Sequence, residues 1–218
     1  MNDFQLTNPE NPDLCDPSKS QWYLDMVLAN RIVFWTMRDM PEDFFGDRQL
    51  RVLEPSCGRG SLVRSLVDHG CHVVGVDIDP ANVAFCADTF PEARSEHADF
   101  LSIPGGSSLL GTFNLVLMNP PFEGGQTEQH ILHALTFAPR VVCHCPLTTL
   151  AGQDRRTGLW SQAYLKRLVI HASRPKYSGA RTGGMTDMCT IDVVRRYETP
   201  IQQNNGVAAS GVDVEWWA

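Results

Sequence analysis

Apolar positions along the chain fall into two spacings, and the two alternate. Alternating or continuous apolar runs at 50–54, 72–77, 113–118, 140–145, 168–173 and 188–196 predict strands, with a shorter one near 94–97. Helical spacing predicts helices over roughly 20–37, 59–69, 80–89, 127–137 and 158–168. Strands alternating with helices predict an α/β chain: a mostly parallel, seven-stranded sheet with helices on both faces. Right-handed crossovers then bring the strand ends after Glu54, Asp77, Asp99 and Met118 to one edge of the sheet. The last two strands follow each other without a helix, so a terminal antiparallel hairpin is expected at one edge. Residues 1–17, with Pro9, Pro12 and Pro17, read as an extended arm, and 198–218 as a polar tail ending near Trp216 and Trp217. The whole of 1–218 reads as a single domain without internal repeats.

Three short stretches carry the chemistry. Leu115-Val116-Leu117-Met118-Asn119-Pro120-Pro121-Phe122 is a buried-type strand that stops on a rigid turn. Two prolines fix φ and remove two N–H donors, so the turn presents carbonyl oxygens, while Phe122 offers a flat apolar face. The Asn119 amide oxygen and the Pro120 carbonyl can accept the two hydrogens of an exocyclic NH2, whose delocalised lone pair makes it a poor nucleophile. The turn therefore reads as a candidate site for methylating such a group; an ordinary Pro-Pro strand exit with a core Phe is the alternative. Arg51 to Leu62 reads as a strand, a Gly58-Arg59-Gly60 turn and a helix start, which lets backbone approach a ligand closely. It lacks the third glycine of a dinucleotide fingerprint, because Leu62 and Val63 follow. Glu54, just before the turn, suits a ligand carrying an ammonium or sulfonium. His72 to Pro80 is a second strand ending in Asp77, placed to accept ribose hydroxyls. In His97-Ala98-Asp99-Phe100-Leu101, Asp99 can accept an adenine amino hydrogen and Phe100 can supply a backbone amide.

Taken in order, Glu-Pro-Ser-x-Gly-x-Gly, Val-Asp-Ile-Asp, Ala-Asp-Phe and Asn-Pro-Pro-Phe resemble the S-adenosylmethionine-dependent amino-methyltransferases, specifically the adenine-N6 DNA methyltransferases. The resemblance runs from about Ser20 to about Tyr197 and implies a Rossmann-like methyltransferase fold. It implies that Glu54, Pro55, Ser56, Gly58 and Gly60 line the methionine end of S-adenosylmethionine, that Asp77 and Ile78 hold its ribose and adenine, and that Asp99 and Phe100 cap the adenine. Asn119, Pro120, Pro121 and Phe122 would form the catalytic loop, with S-adenosylhomocysteine as product. Upstream, Ser20 to Asp25 resembles the family's Tyr-Thr-Pro segment, with Leu24-Asp25 in place of Thr-Pro; Trp22 and Tyr23 carry over as cofactor contacts. The compact layout, with no segment sized for a separate target-recognition domain, resembles solitary bacteriophage enzymes whose broad methylation shields DNA from restriction. RNA bases, protein glutamine amides and a non-catalytic binding subunit are the competing readings.

Composition changes this picture in two places. The chain has 218 residues, 43% apolar, no apolar run near 18 residues and no basic, apolar leader at Met1, so a cytoplasmic protein is expected. Seven cysteines without a Cys-x-x-Cys pair fit a reducing compartment, and Cys143-His144-Cys145 reads as buried strand rather than a metal site, so no metal is expected. The net charge of −7 argues against a nucleic-acid partner until it is divided along the chain. Residues 1–150 carry −10, 151–197 carry +6 and 198–218 carry −3. The basic segment is the expected footprint of DNA or RNA phosphates, with Arg155, Arg156, Lys176 and Arg181 as candidate contacts and a solvated face as the alternative.

Overall fold

In the computed structural model, residues 23–38, 40, 49–106, 110–174, 186–196 and 212–217 are described. Eight strands form one sheet: β1 (Arg51–Glu54), β2 (His72–Asp77), β3 (Arg94–His97), β4 (Leu115–Met118), β5 (Arg140–Pro146), β6 (Ala163–His171), β7 (Met188–Arg195) and β8 (Asp213–Trp217). Their order is β3-β2-β1-β4-β5-β7-β6-β8, and β7 alone among them runs against its neighbours β5 and β6. This is the Rossmann-like fold with a mostly parallel sheet and a terminal antiparallel pair. Central β4 is buried at all four positions, as a parallel strand covered on both faces must be.

Successive residues serve opposite faces. Val52, Leu115 and Leu117 join one core cluster with α1 (Met26–Met37), α2 (Ser61–Asp68) and α3 (Pro80–Thr89). Leu53, Val116 and Met118 join the other with α4 (Gln126–Ala134). Two shorter helices, α5 (Gln153–Thr157) and α6 (Leu159–Gln162), precede β6. No helix among the described residues is long and apolar enough to cross a membrane.

Helix starts follow local chemistry. The predicted helix 20–37 begins at Met26 because the Asp25 carboxylate accepts from the Leu28 N–H at 2.7 Å. α2 begins at Ser61 because Gly58 and Gly60 hold φ of +50° and +77°, outside helical space.

Three expectations are corrected. The sheet has eight strands rather than seven, because the end of the supposed polar tail 198–218 forms β8 parallel to β6. Trp217 is 7% exposed, set edge-on to Trp35 with ring centroids 6.2 Å apart, and Arg31 lies 4.5 Å over its ring. A buried indole anchors the strand where composition alone suggested solvent. The edge position therefore belongs to β8, and the β6–β7 pair lies inside it. The predicted helix 158–168 is the four-residue α6, since β6 already starts at Ala163. A register shift between Leu165 and Arg167 leaves Lys166 exposed and turns Arg167 inward, which breaks the alternation that would have marked the strand. The arm 1–17 and residues 198–211 lie outside the described residues.

Candidate functional site

The carboxyl ends of β1, β2 and β4 open onto a cleft of about 400 Å³. At its base the Gly58-Arg59-Gly60 turn is held from β2: the Asp77 carboxylate accepts from the Gly58 N–H at 2.7 Å, the Asp79 N–H at 2.8 Å and the Asn82 amide at 3.2 Å. Asn82 in turn accepts from the Tyr23 hydroxyl at 3.3 Å. A Cβ on Gly58 would sit 2.6 Å from the Tyr23 ring, so the glycine is needed for close packing as well as for its left-handed backbone. Ser61 Oγ donates to the Leu24 carbonyl at 2.7 Å and fastens the upstream segment over the turn. Asp77 thus organises the turn besides facing the cleft.

Glu54, at the end of β1, is 1% exposed and lines the same cleft. Burial, reinforced by the nearby Asp77 charge, holds its carboxyl well above the usual carboxylate range. Its Oε1 has no hydrogen-bond partner among the described residues. A buried carboxyl with an open acceptor calls for a cation or donor from a ligand. Ile78, which also lines the cleft, is 68% exposed, a large apolar side chain left open at the site. Asp99 is exposed at the rim; its oxygens accept from the Leu101 N–H at 3.1 Å and the Ser102 hydroxyl at 2.8 Å. Phe100 is buried behind it, against His133.

Asn119, Pro120 and Pro121 extend the cleft beyond β4. The Thr127 hydroxyl donates to the Pro121 carbonyl at 3.0 Å and pins the turn to α4. Gly124 and Gly125, with φ of +60° and +75°, make the bend between them. Phe122 is not among the residues lining the cleft: it is partly buried and packs against one of the two core clusters. Thr127→Val keeps the volume but strips the turn of this partner. The expected result is a loss of about 1 kcal/mol in urea unfolding, restored by Thr127→Ser, and an equal stability for Val would show the hydroxyl to be idle.

The structure also brings in residues that sequence reasoning passed over: Arg59, Asn82, Gln126, Gln129 and His130 line the cleft. The signal for the last three was available, since positions i, i+3 and i+4 at the start of a helix share one face. His130 Nδ1 lies 2.8 Å from the Gln126 carbonyl, and burial lowers its pKa, which favours the neutral imidazole at pH 7. Gly60, predicted as a lining residue, lies behind the wall, where a Cβ would collide with Phe90. Trp22 lies outside the described residues.

The candidate phosphate contacts fare unevenly. Arg155 pairs with Glu128 and donates to the Ala151 carbonyl at 3.2 Å, whereas Arg156 is exposed. Lys176 and Arg181 lie outside the described residues. Elsewhere in the basic segment Arg167 is buried against Asp192, and Arg174 pairs with Asp187. Charge counted along the sequence is partly spent inside the fold. At Cys143-His144-Cys145 all three residues are buried, and His144 Nδ1 meets the Thr190 hydroxyl at 3.3 Å. No group of three or more metal-ligating side chains occurs among the described residues.

Residues 52–142, from β1 into β5, match the family model of a methyltransferase domain. A sequence search of curated proteins gave no match. Among solved structures, the fold is similar to a protein from Listeria monocytogenes described as a class I S-adenosylmethionine-dependent methyltransferase. That likeness has a TM-score of 0.63 and 10% identity over 90% of this chain and 66% of the other. A protein from Pyrococcus horikoshii described as an RNA methyltransferase gives 0.62 and 13%, over 81% of this chain and 88% of the other. The methyltransferase subunit of a type I restriction-modification system from Streptococcus thermophilus gives 0.62 and 13% over 82% of this chain, which spans only 45% of that subunit.

Proposed function

We propose that this chain is an S-adenosylmethionine-dependent methyltransferase acting on the N6 amino group of adenine in DNA, in the cytoplasm. The observation that carries the reading is one of placement: the Asn119-Pro120-Pro121 turn and the Glu54, Asp77 and Ile78 walls belong to a single cleft. The walls fit the cofactor by their chemistry. The open oxygen of Glu54 suits a cationic amino-acid end, Asp77 retains acceptor capacity for hydroxyls, and exposed Ile78 offers an apolar cover for adenine. When bound, the cofactor supplies an electrophilic methyl group on a sulfonium.

The chain's own contribution is positioning and charge stabilisation. Asn119 accepts from the target amino group through its amide oxygen, and Pro120 through its carbonyl. The Pro121 carbonyl is already committed to Thr127, so it holds the turn rather than the substrate. With both amino hydrogens held at Asn119 and Pro120, the nitrogen lone pair would be left for the methyl group that the bound cofactor would supply, and the surplus proton would pass to solvent. Neutral His130 and the amides of Gln126 and Gln129 offer donors and acceptors to the edge of a target ring.

Because Phe122 is partly buried against a core cluster and does not line the cleft, stacking of a flipped base falls to other groups, and a planar amide or an unpaired RNA base meets the same demands at Asn119. The deciding experiment incubates unmodified DNA, RNA and protein with methyl-labelled cofactor and analyses the products by mass spectrometry. N6-methyldeoxyadenosine is expected. Label found only in RNA or in glutamine would move the substrate, and no label anywhere would leave a binding subunit.

A further inference from the structure

The cleft walls carry four carboxylates, Glu54, Asp77, Asp79 and Asp99, and among the described lining residues a single permanent cation, Arg59. Arg59 is half-buried at the centre of the Gly58–Gly60 turn, with its guanidinium 4.9 Å over the Phe85 ring. Stacking of this kind fixes the plane of a guanidinium without using its N–H donors. Among the described residues its enclosed Nε has no hydrogen-bond partner, and no carboxylate pairs with it. A partly desolvated cation with an unmatched donor is costly unless an anion arrives with the ligand.

The cofactor proposed above has one such anion. It carries two cationic groups, the sulfonium and the ammonium, which the acidic walls suit, and one carboxylate, which they repel. We infer that Arg59 binds the amino-acid carboxylate of S-adenosylmethionine and makes the site discriminate against a cofactor lacking that group. The inference rests on the S-adenosylmethionine reading of the cleft. It also explains why an arginine occupies a turn position where steric room alone would accept a small residue.

The test is calorimetric and independent of turnover. Wild type and Arg59→Gln are titrated with S-adenosylmethionine and with decarboxylated S-adenosylmethionine, which keeps both cationic groups. Wild type is expected to prefer the intact cofactor at least about tenfold, the range for a charge-assisted hydrogen bond. The variant should lose at least about tenfold for the intact cofactor and less than about twofold for the decarboxylated one, which also reports an intact fold. Equal weakening of both ligands, or unchanged cofactor affinity with a loss confined to DNA binding, would overturn the assignment. Arg59→Met, which keeps an apolar stem against Phe85, is read the same way should the glutamine variant fail to fold. If wild type binds neither ligand, it is the cofactor reading that fails.

Discussion

Asn119→Ala should lower methyl transfer at least about 100-fold while leaving the affinity for S-adenosylmethionine within about twofold. The split follows from position. Asn119 follows β4, the strand beside β1, so it lines the cleft one strand over from Glu54 and on the side away from β2 and Asp77. Its amide is assigned to the target nitrogen, whose charge changes only as the new bond forms, so the interaction strengthens in the transition state and contributes little to ground-state binding. A loss of 100-fold corresponds to about 2.7 kcal/mol, the scale of one preorganised polar group in a desolvated site. Asn119→Asp, which keeps an acceptor of the same shape, should retain more activity than Ala. Steady-state rates paired with calorimetry check both. A variant with normal turnover would remove Asn119 from the chemistry, and one that loses cofactor and turnover together would make it a structural residue of the cleft.

What could be read along the chain was whatever is imposed locally. Gly58 needs its left-handed backbone and has no room for a Cβ, Asp77 ends a strand beside it, and the two prolines fix their own φ; each constraint is written in the residue itself. The alternation of buried strands and amphipathic helices likewise carried the order of the elements. What escaped depends on distant partners. Phe122 packs, partly buried, against a core cluster rather than lining the cleft, which no local pattern specifies. β8 exists because Trp217 finds Trp35 and His171 across the chain, with the His171 ring 5.3 Å away. Arg59 was hidden by its motif: in a Gly-x-Gly turn the middle position is read as free, and only the cleft shows which way its charge is needed. The basic segment is legible only in part for the opposite reason, since a count of arginines does not say which are already paired.

Asp192→Ala should cost about 3–5 kcal/mol of stability, the largest effect expected from a residue outside the cleft. Asp192 on β7 is fully buried, and its carboxylate takes the Nε and Nη2 of Arg140 at 3.0 and 2.8 Å and the Nε of Arg167 at 2.8 Å. Both arginines then reach α1: Arg140 donates to the Thr36 carbonyl at 3.4 Å, and Arg167 to the Trp35 carbonyl at 3.2 Å while stacking 4.0 Å over the Trp35 ring. One carboxylate therefore pairs with two buried guanidiniums and ties three strands to the helix that follows Tyr23 and Leu24 at the cleft. Removing it leaves two like charges facing each other without solvent, a penalty well beyond that of one lost hydrogen bond. Set against a typical total of about 5–15 kcal/mol, the loss should show as a strongly lowered urea midpoint followed by tryptophan fluorescence. The triple change Arg140→Met, Arg167→Met and Asp192→Leu removes the charges together and should recover most of the stability, because apolar side chains of similar volume need no counter-ion. A loss below about 1 kcal/mol for Asp192→Ala alone would mean that water reaches the two guanidiniums, and that α1 is held to the sheet by its apolar face rather than by this charge cluster.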